Sequence, residues 1–329
     1  MRRRAVLGSA LAVGLALAGA LVGGPRTLGV AAQDATPTAS VAADARFPAA
    51  VGLPELRIRT TETAFEGVPA ELAAGRYLVT FTNGFADPTG ATEGTGVEFY
   101  RLPEDETFEA YVAGWEEFRA NLANAGPLPD GPDAAYFEAY QAGGPFAVFP
   151  GQTVQGIVEL PPGEYAVWND SPFHPQRPVH LRVTGDGETP AAEAVPAADV
   201  TIRHGETAGG HAMEIEGELR AGPQTVEFVN AGDQTHYAWF GRAPGPVTAE
   251  QVVRAWDVGE GGTPPADVGF DPEAVELVAL TQTQSAGTTQ WMALNLEPGT
   301  YVVACFAFDP TDDNSLHAFA GELEVVNVR

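Results

Sequence analysis

Lysine is absent from this 329-residue chain, and cysteine occurs once, at Cys305. A single cysteine excludes any disulfide within the chain, so the fold cannot rest on a covalent staple. A lone thiol in an oxidising setting must be buried or bound, and burial is the usual state of a free cysteine. Positive charge is scarce too: 17 Arg face 44 Asp and Glu, for a net charge of −27. Nucleic acids and anionic membrane surfaces both need a positive patch, so this balance argues against either as a partner. The chain carries no Gly-x-Ser-x-Gly elbow and no phosphate-binding loop, and no carboxylate pair stands out among its acids. Nothing signals an enzyme.

Long apolar runs are also missing, except at the start. Arg2, Arg3 and Arg4 precede an apolar stretch from Ala5 to Val22, and Val30-Ala31-Ala32 offers small residues for cleavage. Residues 1–32 therefore read as an export signal, by the secretory or the twin-arginine route. The run is nearly long enough to cross a bilayer, so an uncleaved N-terminal anchor is the second outcome. Without residues 1–32 the chain keeps 13 Arg against 44 acids, a net charge near −31. The expected location is extracytoplasmic: secreted, periplasmic or on the cell surface, with no membrane span in the mature chain.

What is present is a repeat. PAELAAGRYLVTFTN at 69–83 is echoed by EGELRAGPQTVEFVN at 216–230, and ELPPGEYAV at 159–167 by NLEPGTYVV at 295–303. A period of roughly 140 residues is too long for a solenoid unit and suits a duplicated domain. Ala-, Thr- and Pro-rich residues 33–54 read as a flexible tether and residues 186–198 as a linker. That leaves domains at 55–185 and 199–329.

Apolar residues alternate in short runs broken by Gly, Pro and Asn. Tyr77, Val79 and Phe81 fall on one strand face with Thr80 and Thr82 on the other, and Leu323 and Val325 oppose Glu322 and Glu324. This pattern predicts an all-β chain of two tandem antiparallel Greek-key sandwiches. Each carries a short helical insertion. The first spans Asp105 to Gln141 with an aromatic stripe (Phe108, Tyr111, Trp115, Phe118) expected to pack on the sandwich. The second opens at Val247, with Thr248 as cap and Gln251 three residues on.

Three places in the second copy carry chemistry. Asn230-Ala-Gly-Asp-Gln-Thr-His236 fits an N-x-G-x-x-x-H turn. Pro298-Gly-Thr-Tyr301-Val-Val-Ala-Cys305 fits P-G-x-Y-x-x-x-C, and His317 follows across a loop before Gly321-Glu322-Leu-Glu-Val325. Together they resemble the cupredoxins, Greek-key sandwiches that hold copper, over nearly all of 199–328. The resemblance implies a copper site with His236, Cys305 and His317 as ligands, because two imidazoles and a thiolate suit both oxidation states of copper. Two features depart from the family. Eleven residues (306–316) separate Cys305 from His317, a loop expected to be long and solvated. The axial Met is missing, and Glu322 stands about where it would be, with Met213 as a substitute only if its strand passes the site. A carboxylate makes a harder site.

The first copy keeps no such set. Asn169 occupies the position of Cys305, Gly96 or Val97 that of His236, and His174 and His180 are left over, His180 on an outward face. It reads as a metal-free copy. His204 and His211, with Met213, form a second soft-metal grouping, better explained as an exposed Gly-rich turn. The copper oxidases built from this duplication need His-x-His pairs, and six His in all cannot fill such a cluster. The functional expectation is an exported, non-enzymatic binding protein holding one copper, for electron transfer or copper handling, with a redox or cell-surface protein as partner. The competing expectation is a metal-free interaction or scaffold protein that uses the insertion at 105–141 as its contact surface.

Overall fold

The computed structural model describes residues 44–85, 94–123, 139–169, 176–185, 195–207, 210–256, 265, 267–312 and 315–329. The export signal, the first half of the tether, most of the linker, His174 and the Phe118 side chain lie outside these residues. No helix among the described residues is long and apolar enough to cross a membrane.

The repeat becomes two matching sets of strands. In each copy an opening strand (Glu55–Thr60, Val200–Thr207) runs parallel to the Ala-Gly-led strand (Gly75–Asn83, Gly222–Asn230). That strand pairs antiparallel with the next (Thr153–Leu160, Thr289–Leu296). The Pro-Gly turn then leads to the other layer, through Gly163–Trp168 and Gly299–Ala304. Its tyrosine folds back four residues in both copies: Tyr165 Oη donates to Pro161 O at 2.7 Å and Tyr301 Oη to Glu297 O at 2.9 Å. Aromatic and β-branched side chains fill the space between layers, among them Phe81, Phe99 and Trp168 in the first half and Phe228, Phe240 and Tyr301 in the second, all essentially buried. The chain is all-β, with one sandwich per copy and a helix in each.

The two halves join through a shared sheet. Thr153–Leu160 pairs antiparallel with Thr289–Leu296, placing Gly156 opposite Met292, so eight strands run as one sheet across both copies. Gly156 and Met292 each lie seven residues before the Pro-Gly glycine of their own copy. Antiparallel pairing of equivalent residues is what a local two-fold produces. Beside this joint, Thr281–Ser285 runs between the halves, bridging Ala142 and Pro145 on one side and His236 on the other. Gln290 closes it: its Oε1 accepts the Gly144 N–H at 3.0 Å, and its Nε2 donates to Gln282 O at 3.1 Å and Gln284 Oε1 at 2.6 Å.

Tyr111 and Trp115 of the Phe108–Ala123 helix are buried, and Tyr111 stacks on Tyr100 at 5.2 Å, so the described part of the stripe is core. Thr248 and Gln251 bond reciprocally at the start of the Ala249–Trp256 helix, at 3.0 and 3.2 Å, as a capping box. The end of the tether is not free. Ala45 bridges Val154 in parallel, Asp44 accepts the Thr153 N–H at 2.9 Å, and Phe47 and Leu53 are buried. Thr153–Leu160 lies inside the sheet but pairs with Thr289–Leu296 only at Gly156 and Ile157, and the tether takes up backbone groups left beyond that stretch: the Ala45 N–H donates to Thr153 O at 2.9 Å and the Gln155 N–H to Ala45 O at 2.8 Å.

Gln290→Leu is expected to lower stability by about 3 kcal/mol, because it strands a buried N–H and a buried C=O at the joint. Chemical denaturation checks this; a change under about 1 kcal/mol would mean that the joint does not depend on these bonds.

Candidate metal centre

Three chain segments converge at one end of the second sandwich. The first is the turn after Gly222–Asn230. Asn230 Oδ1 accepts the Gly232 N–H at 3.0 Å, and its Nδ2 donates to Gln234 O at 2.7 Å and Gln284 O at 3.1 Å. A Cβ at Gly232 would sit 2.1 Å from Glu206 Oε2 and push that carboxylate aside. His236, next on the chain, is locked to the joint segment by two backbone bonds with Gln284, at 3.1 and 2.9 Å. The second segment is the end of Gly299–Ala304, which delivers Cys305; the Cys305 N–H donates to Glu322 O at 3.0 Å. The third is the single turn His317–Ala320 and the residues after it, where the Glu322 N–H donates to His317 O at 2.9 Å.

His236, Cys305, His317 and Glu322 meet there with no exposed surface. The Nδ1 atoms of His236 and His317 lie 3.2 Å apart, and each is 3.7 Å from Cys305 Sγ. Glu322 Oε2 is 2.9 Å from His236 Nδ1 and 3.8 Å from His317 Nδ1. The fit to a metal can be tested from these lengths alone. A triangle with sides 3.2, 3.7 and 3.7 Å has its centre about 2.1 Å from each corner, close to a metal–nitrogen bond and slightly inside a metal–thiolate bond of about 2.3 Å. The donor set fits a first-row ion, and a Glu322 oxygen stands to one side of it.

The outer ring atoms are covered as well. His236 Nε2 faces Glu206 Oε1 at 3.2 Å and His317 Nε2 faces Gln234 Oε1 at 3.0 Å. Glu206 also takes the Asp233 and Gln234 N–H groups at 2.7 and 3.1 Å. Asp309 accepts from Gln234 Nε2 at 3.0 Å and faces His211 Nε2 at 2.9 Å. The base of the segment between Cys305 and His317 is therefore not solvated. Phe306, Ala307 and Asp309 are buried, Phe308–Asp309 pairs with Ser315–Leu316, and Trp239 and Trp256 pack edge-on against Phe306. Apolar residues at 306–308 pull its base inward, and Pro310 to Asp312 stay exposed.

His204 and His211 also depart from expectation. They lie on the paired strands Val200–Thr207 and Gly210–Gly217, with exposures of 1% and 7% rather than in an open turn. His204 Nδ1 contacts Glu322 Oε2 at 3.4 Å. His211 stacks on His317 with ring centres 3.8 Å apart, an approach that depends on Gly321 (φ 127°), where a Cβ would lie 2.1 Å from His211 O. An imidazole binds a metal in its ring plane, so two face-to-face rings cannot share one ion, and His211 with His236 and His317 makes no second site. The sequence signal was the alternation Ile202-x-His204 and His211-x-Met213, which put both histidines on inward strand faces. Met213 is buried in the core opposite His204, and the place near the donors is taken by Glu322.

In the first half, Asn169 is buried directly after Gly163–Trp168, where the second half has Cys305. His180 is exposed, 2.6 Å from Glu164 and stacked on Phe108. Among the described residues, the clusters able to hold a metal lie in the second half.

No family model and no curated protein matches this sequence. Solved structures do. Dithionite-reduced auracyanin from Roseiflexus castenholzii is 23% identical, matching 40% of this chain and 99% of that one, with a TM-score of 0.25. Auracyanin A of Chloroflexus aurantiacus, described as a blue copper protein, is 18% identical over 40% of this chain and 99% of its own, at 0.24. Copper nitrite reductase from Nitrosomonas europaea is 15% identical over 84% of this chain and 93% of its own, also at 0.24. At TM-scores this low the likenesses carry no argument, and the fold and the chemistry rest on the strands and side chains above.

Electrostatics follow from burial. It pushes the Cys305 thiol up, and the Glu322 carboxylate adds to this. Burial opposes charge on His236, yet Cys305, Glu206 and Glu322 beside it hold the ring well above the usual histidine value. His317 falls to about 3 through burial and the neighbouring His236. Glu322 stays below the usual carboxylate range, since His204 and His236 outweigh its burial. The bond from His236 brings Glu206 to about 2.

The signs fix the pH dependence of the metal-free chain. His236 and Cys305 are raised, so their contribution is complete below their unfolded values and fades as pH climbs through the folded ones. Glu206, Glu322, His204 and His317 are lowered, so theirs is lost as pH falls below their unfolded values, from about 6.5 for the two histidines and about 4.3 for the two carboxylates. Stability should peak at about pH 6.5 and decline on both sides, toward about pH 4 and toward about pH 9. Thermal unfolding in chelator tests this; a curve flat from pH 6 to 9 would contradict it.

Proposed function

We propose that this chain is an exported, non-enzymatic cupredoxin-type protein that holds one copper ion at His236, Cys305, His317 and Glu322. The observation that carries this reading is the donor triangle, whose centre lies about 2.1 Å from two imidazole nitrogens and a thiol. A copper ion held by these donors cycles between its two oxidation states, which suits electron transfer or copper handling. The residues themselves do the rest. Burial keeps water from the thiolate, Glu206 and Gln234 fix the two imidazole planes from behind, and the strand ends hold the spacing before any ion arrives. The neutral state of His317 leaves its Nδ1 ready to ligate.

On this reading the first half, 55–185, is a metal-free domain that shares its sheet with the ligand-bearing domain, 199–329. The protein works outside the cytoplasm beside a redox or cell-surface protein. Six histidines without a His-x-His pair support a carrier over an oxidase.

The test is an absorption spectrum of the purified chain after Cu(II) addition, with bound metal counted in parallel. The expected result is an intense thiolate charge-transfer band with about one copper per chain. Cys305→Ser should abolish the band while leaving the circular dichroism unchanged. No band and no retained metal in the wild-type chain would favour the metal-free scaffold.

A further inference from the structure

The proposed ligand set uses two of four buried histidines at this end of the sandwich. His211 is excluded by its stacking on His317. His204 is left: its Nδ1 lies 3.4 Å from Glu322 Oε2, both residues fully enclosed, and a His204 nitrogen also stands within 4.8 Å of donor atoms of His236 and Cys305. We infer that His204 is a positioning residue that holds the Glu322 carboxylate against the copper, presenting one oxygen and fixing the strength of that fourth bond. This deepens the copper reading and rests on it.

Three observations support this role. First, the carboxylate is clamped from one strand at both oxygens: His204 Nδ1 faces Oε2, and the Gly205 N–H donates to Oε1 at 3.3 Å. The strand is itself fixed to the turn that carries His236. His204 pairs with Asn230, and its carbonyl accepts the Ala231 N–H at 2.9 Å. The clamp and the first imidazole ligand therefore share one rigid frame.

Second, His236 Nδ1 and His204 Nδ1 compete for the same oxygen, at 2.9 and 3.4 Å. A nitrogen that gives its lone pair to a metal carries no proton and cannot also donate to Glu322. With His236 so engaged, His204 is the side chain left to donate to Oε2. A carboxylate without that donor, in an otherwise dry site, is free to turn and offer the metal both oxygens.

Third, His204 is a poor choice for stability alone. Its Nε2 is buried with no hydrogen-bond partner. A buried polar atom left unpaired is a net cost, which an apolar side chain of similar volume would avoid. The imidazole gives what that side chain could not, a donor aimed at Glu322.

The experiment uses the full chain with copper as the probe, in wild type, His204→Leu, His204→Gln, Glu322→Gln and the double variant His204→Leu/Glu322→Gln. The readouts are copper content, the charge-transfer spectrum, the electron paramagnetic resonance of the Cu(II) form, and the Tm of the metal-free chain. His204→Leu is expected to bind copper about 10–100-fold more weakly, with an altered band and resonance, and with a metal-free Tm no lower than wild type. His204→Gln, which keeps an N–H donor, should return the spectrum toward wild type. In the Glu322→Gln background the Leu substitution should have much less effect, because it acts through Glu322.

A wild-type spectrum and affinity in His204→Leu would overturn the inference and leave His204 as packing. Loss of all copper in both His204 variants, with folding intact, would also overturn it, by making His204 a ligand. Equal effects of the Leu substitution with and without Glu322 would overturn it as well. A wild-type chain that retains no copper removes the copper reading first, a result separate from anything the variants do.

Discussion

The spacing of three donor atoms in a sealed interior is the constraint on which the rest of this structure depends. His236, Cys305 and His317 come from three separate segments, and their donors stand 3.2 to 3.7 Å apart with no surface exposed. Two imidazoles, a thiol and a carboxylate at that distance would not gather through the hydrophobic effect alone, since each is costly to desolvate. The frame holds them together. Asn230 knits the first turn, the Cys305 strand is paired on both sides, and Glu322 is tied by backbone bonds to Cys305 and His317. The polar cost is met by Glu206, Gln234 and Asp309, each pairing with a buried ring or with the amide that supports one.

The duplication gives this frame its footing. The two copies share an eight-stranded sheet, and the Thr281–Ser285 segment touches the first half on one side and His236 on the other. A change at the joint therefore has a short covalent and hydrogen-bonded route to a proposed ligand. The first copy keeps the strands and the tyrosine turn but places Asn169 where a thiol would be. An architecture of this kind stands without a ligand set, because its core is built from strand faces and the proposed ligands sit on the turns and strand ends beyond them.

Much of this was legible in the sequence, for identifiable reasons. Alternation of apolar residues, the repeated Pro-Gly-x-Tyr turn and the Thr248–Gln251 cap are local signals, and local signals survive folding. His236, Cys305, His317 and Glu322 stood in recognisable turns, and all four meet. What stayed hidden depended on contacts distant in the chain. His204 and His211 stand beside glycines like turn residues, and the alternation around them shows its inward face only once their two strands pair and Asn230 sets the register. The 306–316 segment looked solvated because three Asp dominate it, yet Phe306 and Ala307 bury its base and Asp309 is drawn in by His211 and Gln234. The tether looked free because the gap it fills, where Thr153–Gln155 runs beyond its pairing with Thr289–Leu296, cannot be seen from composition.

The central claim is that one copper lies between a thiolate and two imidazoles with a carboxylate beside it. X-ray absorption at the copper edge of the Cu(II)-loaded chain measures that most directly. The account predicts one sulfur scatterer at about 2.3 Å and two to three nitrogen or oxygen scatterers at about 2.0 Å. A copper shell with no sulfur, made of nitrogen and oxygen alone, would contradict it.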